Sequence, residues 1–101
     1  MQTKFYDKDE KAFAKAMVLT ALQSGITFYS FEDYGVTVAL KRESPEMCKF
    51  AVAIASSGEI KFRKLMGKIV ALERFEQGAM PAIVPKGVEN DFALRLAELV
   101  G

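Results

Sequence analysis

Ser44-Pro45-Glu46-Met47-Cys48-Lys49-Phe50-Ala51-Val52-Ala53-Ile54-Ala55-Ser56-Ser57-Gly58 is the stretch on which the fold turns, because its apolar residues fit two periods. Cys48, Phe50, Val52 and Ile54 alternate as in a strand, whereas Met47, Phe50, Ala51, Ile54 and Ala55 recur at helical spacing. Three features favour helix over Met47 to Ser57. Ser44-Pro45-Glu46 supplies an N-cap, a first helical proline and a first-turn acid. The alanines at 51, 53 and 55 suit a strand poorly. Gly58 closes the stretch as Gly25 closes an earlier one.

That earlier stretch gives the third feature its weight. Ala16-Met17-Val18-Leu19-Thr20-Ala21-Leu22-Gln23-Ser24-Gly25 is echoed by Lys49 to Gly58, and Gly35-Val36-Thr37-Val38-Ala39-Leu40-Lys41-Arg42 returns as Gly67-Lys68-Ile69-Val70-Ala71-Leu72-Glu73-Arg74. An internal repeat is a statement about architecture, here a duplicated α-β-β unit over about 7–42 and 44–75. The first helix runs from Lys8 to Ser24, capped by Asp7 with Glu10 three residues later, and its inward stripe is Phe13, Met17 and Ala21. Ile26 to Phe31 and Val36 to Lys41 form a hairpin about Glu32-Asp33-Tyr34-Gly35. By the repeat, Glu59 to Leu65 and Lys68 to Phe75 form a second hairpin turning at Met66-Gly67, with a helix from Lys64 to Gln77 as the competing assignment. A C-terminal strap and helix occupy 76–101: Ala79 to Val84 lies along the body, and a helix from Glu89 or Asn90 to Val100 carries Phe92, Leu96 and Leu99 inward, with Leu94 beside them.

The expectation is one α+β domain over residues 1–101, in the order α-β-β-α-β-β-α, with an antiparallel sheet and helices packed on one face. Val36, Val38, Leu40, Ile60, Phe62, Val70 and Leu72 would lie beneath the helices. Thr27, Tyr29, Phe31, Thr37, Ala39, Lys41, Lys61, Arg63, Ile69, Ala71 and Glu73 would form the other face. The order resembles the topology of the LAGLIDADG homing-endonuclease family, whose helix-to-strand junctions carry metal-binding acids. The matching junctions here, Leu22-Gln23-Ser24-Gly25 and Ala55-Ser56-Ser57-Gly58, hold no acid, so the resemblance implies no nuclease activity.

Composition narrows the chemistry. The 101 residues hold 14 basic and 13 acidic side chains, a net charge of +1, so no overall field draws the chain to nucleic acid or an anionic membrane. There is no histidine, which removes histidine-based catalysis and the ordinary zinc sites. A lone Cys48 without a partner base reads as structural. Asp7, Asp9 and Glu10 read as helix capping, Glu32 and Asp33 as turn residues, and glycines 25, 35, 58 and 67 as punctuation, with no phosphate loop or dinucleotide fingerprint. Catalytic, metal and cofactor residues are therefore not expected. The single cysteine, the absence of an apolar signal segment and the lack of a membrane-length apolar run point to a cytoplasmic setting.

A sheet face that mixes aromatic, small apolar and basic groups is the remaining functional feature. Tyr29, Phe31, Lys41, Lys61, Arg63 and Ile69 are the candidate partner-contact residues, with Lys64 and Lys68 as candidate phosphate contacts. Two uses follow from that mixture. One is a non-catalytic module, a regulator or inhibitor, that binds a protein partner and also pairs as a homodimer through the same face. The other is a nucleic-acid-binding module that stacks bases on Tyr29 and Phe31.

Overall fold

The computed structural model describes residues 8–55 and 64–101. Helix α1 (Lys8–Gln23) leads into strand β1 (Ile26–Phe31), a 3-10 turn (Glu32–Tyr34), β2 (Val36–Arg42) and β3 (Met47–Ile54). Helix α2 (Lys64–Gly78), β4 (Met80–Ile83) and α3 (Glu89–Val100) follow. The four strands form one antiparallel sheet in the order β1-β2-β3-β4. The first helix, the first hairpin and the last helix lie where the sequence places them. Gly25 ends α1 with a φ of 101°, and Gly35 ends the 3-10 turn with a φ of 64°, both in the left-handed region that favours glycine.

The 44–58 stretch resolves against the helix expectation. Met47–Ile54 is a strand paired with β2 along its whole length, Val38 opposite Val52 and Leu40 opposite Phe50. The Ser-Pro-Glu chemistry is real but local. Ser44 Oγ accepts the Met47 N–H at 3.1 Å, while the Glu43 and Ser44 N–H groups donate to the Met47 carbonyl, so the expected helix cap instead closes a hairpin. Ala53 is acceptable in this strand because it faces Ala21, Ala39 and Ala71, small residues that let helices lie close against the sheet.

The second hairpin is likewise replaced. Residues 64–78 are helical, as in the competing assignment, with Ala71 and Leu72 buried and Val70 and Phe75 packed around them. The proposed strand Glu59 to Leu65, with Ile60 and Phe62, lies mostly outside the described residues, as do Asp7 and Gly58. The resulting order is α-β-β-β-α-β-α, so the duplicated α-β-β unit is not present in the order of elements, and the homing-endonuclease topology goes with it. The strap is in part a strand: β4 pairs with β3, Cys48 opposite Ala82 and Phe50 opposite Met80.

Helices cover both faces of the sheet rather than one. Helices α1 and α2 pack on the face of Ile26, Phe28, Ala39 and Ala53, and α3 packs on the face of Val36 and Val38 through Ala93 and Ala97. This explains why β2 is buried continuously from Val36 to Leu40, where a half-solvated strand would alternate. The helix stripes are met in part: Met17 and Ala21 of α1, and Phe92 and Leu96 of α3, pack on the core as expected. Each stripe is rotated, however, so that among the described side chains Ala14 and Val18 are buried and Phe13 exposed in α1, and Ala93 and Ala97 are buried and Leu99 exposed in α3.

Candidate interaction surface

The register separates the side chains that the sequence groups together. Tyr29 stands opposite Val38 and Phe31 opposite Val36, so both lie on the α3 face, half-buried against the core beneath Ala93, Ala97 and Leu96. Lys41 stands between Ile26 and Lys49 on the opposite face. Ile69 and Lys68 are half-buried on α2, and Lys64 is exposed at its start. Lys61 and Arg63 lie outside the described residues. The aromatic pair and Lys41 therefore do not share a surface, and the face carrying Tyr29 and Phe31 is covered by α3.

Two groups absent from that set, Arg42 and Glu89, form the principal polar cluster among the described residues. Arg42 is the last residue of β2, opposite Cys48. Its Nη1 donates to the Ser44 and Pro45 carbonyls at 2.9 and 3.2 Å. Its Nη2 donates to the Pro85 carbonyl at 3.3 Å and to Glu89 Oε2 at 2.6 Å. Glu89 Oε1 accepts the Gly87 N–H at 2.9 Å. Hydrogen bonds from its own backbone N–H first, and from Arg42 next, hold the Glu89 carboxyl below the usual carboxylate range. The arrangement joins the β2–β3 turn to the first turn of α3.

Nearby, burial pushes the Tyr29 phenol up, and the Glu89 carboxylate pushes the same way. Burial also pushes up the Cys48 thiol, against the opposing pull of Arg42. Both stay protonated near neutrality, so Cys48 is held in its unreactive form. The short sequence signal for this cluster was a strand-terminal arginine and a first-turn acid on the last helix, neither of which names the other.

An apolar groove lies between α1 and α2. Its volume is about 330 Å³, and its lining includes Phe13, Ala16, Met17, Thr20, Leu72 and Glu76. Phe13 is 68% exposed at its mouth, a large cost for an aromatic ring left in water. The groove exists because α1 turns Ala14, Val18 and Ala21 to the sheet, which sends Phe13, Met17 and Thr20 sideways toward α2. Among the described residues, no group of three or more acidic or cysteine side chains is placed to hold a metal ion. No described helix is long and apolar enough to cross a membrane. Comparison with protein-family models, curated proteins and solved structures finds no significant match to the chain.

Proposed function

We propose that this chain is a non-catalytic protein-interaction module, a regulator or inhibitor that acts by occupying a partner's surface, and that it grips the partner through the α1–α2 groove. The observation that carries this reading is the exposed Phe13 ring at the mouth of an apolar groove whose charged lining residue is Glu76. An amphipathic helix laying its apolar side between α1 and α2 is the partner chemistry that fits, since such grooves are read by anchors spaced along one helical face. The alternative use of Tyr29 and Phe31 as a nucleic-acid platform has less support, because α3 packs over both rings.

The test is affinity capture with the wild-type chain and with a Phe13→Glu variant, whose exposed site leaves folding intact. A partner recovered by the wild type and lost from the variant supports the groove. Identical recoveries from the two chains, or a partner that competes with Lys64 and Lys68 substitutions rather than with Phe13→Glu, sink it.

A further inference from the structure

We infer that the open edge of β1 and the adjoining flank of α1 form a two-fold interface with a second copy of this chain. The two edges of the sheet differ. β4 is four residues long and contains Pro81, a short edge with a missing donor. β1 is six residues, Ile-Thr-Phe-Tyr-Ser-Phe, rich in β-formers, without a charge or a proline, and among the described residues it pairs only with β2. An edge of that length and composition lacks the devices that keep strands from pairing with other chains.

A second observation lies beside that edge. Helix α1 packs over β1 and against α2, which itself spans β2 and β3. With Ala14, Val18 and Ala21 turned to the sheet and Phe13, Met17 and Thr20 turned to α2, helical geometry puts Leu19 and Leu22 on the remaining flank, away from α2 and toward the open edge. Leu19 is 57% and Leu22 45% exposed. Lys15 shares the flank, and its long stem can reach solvent from a covered position.

An occupant must therefore supply a strand and an apolar helix flank side by side, and a second copy of the chain supplies both. A two-fold axis perpendicular to the sheet pairs β1 antiparallel with itself and brings α1 against its own copy on the same face. Residues directly opposite in an antiparallel pair point to the same face, so self-pairing is centred on Phe28 or on Tyr29 and never between them. The result is a continuous eight-stranded sheet with Leu19 and Leu22 covered. This interface is distinct from the α1–α2 groove, which opens on the other side of α1.

Sedimentation equilibrium on the full chain and on Thr27→Lys and Leu19→Glu tests the assignment. Both substitutions are at exposed positions, and far-ultraviolet circular dichroism checks that the fold is kept. A wild-type dimer whose Kd rises roughly tenfold or more in each variant is expected. In a mixed sample of isotope-labelled and unlabelled chain, intermolecular contacts should link the Hα protons of Phe28 or Tyr29 to the same residue of the second copy. A wild type that stays monomeric at millimolar concentration, or a dimer that Thr27→Lys leaves unchanged, overturns the proposal.

Discussion

Val38-Ala39-Leu40-Lys41-Arg42 and Val70-Ala71-Leu72-Glu73-Arg74 differ at one residue in five, yet the first is the middle of a sheet and the second a helix. The strand buries Val38, Ala39 and Leu40 in succession because α3 covers one face and α1 and α2 the other. The helix buries the adjacent Ala71 and Leu72 on one stripe and leaves Glu73 and Arg74 in water. Their neighbours differ in kind. Val36 and Thr37 make the first segment a run of β-branched residues, while the second is followed by Phe75-Glu76-Gln77, which extends a helical period. Nearly identical local words take the conformation that the rest of the molecule can bury.

The comparison breaks most sharply at its first shared residue. Val38→Ala empties space between two packed layers and should cost about 2–3 kcal/mol, against roughly 1 kcal/mol for Val70→Ala at a half-buried helical site. Urea unfolding of the two variants checks this; equal losses would mean that the two valines are equally enclosed. The closing arginines come next. Arg42→Ala removes the hydrogen bonds to Ser44, Pro45, Pro85 and Glu89 and should cost roughly 2 kcal/mol. Arg74→Ala loses one exposed bond to the Val52 carbonyl and should cost about 0.5 kcal/mol or less.

A smaller effect of opposite sign belongs to the strand alone. Thr37 is fully buried, and its hydroxyl, like that of the facing Ser30, has no hydrogen-bond partner among the described residues. Thr37→Val keeps the shape and removes the unpaired group, so it should raise stability by about 1 kcal/mol; a loss would show that the hydroxyl is satisfied in solution. The smallest effect is a pH dependence. The folded carboxyl of Glu89 titrates below its unfolded value, so its contribution is present above about pH 4.3 and is lost as pH falls through the lower, folded value. Wild type should therefore lose more stability on acidification than Glu89→Gln, and denaturant midpoints measured at neutral and acidic pH would show equal losses if neither the backbone N–H groups nor Arg42 held the carboxylate in solution.

How much was legible follows from where each decision is made. Helix α1, the β1–β2 hairpin and α3 carry their own signals: a 3.6 period ended by Gly25, alternation about Gly35, and an apolar stripe after Gly87. β3 and α2 do not. A strand covered on both faces loses its polar alternation, and Ser44 serves a turn as readily as a helix cap, so residues 47–54 offered a helical pattern that only long-range pairing overrules. The site was less legible for a related reason. Alternation within each strand leaves the parity across the hairpin open: Tyr29 and Phe31 fit a face with Thr37 and Ala39 equally well, and only the register sets them with Val38 and Val36. A stripe of Phe13, Met17 and Ala21 fits the helical period nearly as well as Ala14, Val18 and Ala21, and a one-residue rotation decides whether the Phe13 ring meets the core or water.

The sheet is laid down in chain order, each strand beside the one before it, and this bears on how the molecule reaches its native state. Among the described strands, none waits for a later one to be threaded between its neighbours. β1, β2 and β3 can zip through short turns, and short-range pairing of this kind lowers the loop-closure cost that slows most sheet proteins. The Arg42–Glu89 contact is the opposite case, closing a separation of 47 residues. Its energy arrives after the three-stranded meander exists, so removing it should leave the refolding rate nearly unchanged and appear as faster unfolding, making Arg42 a brake on opening rather than a guide to assembly.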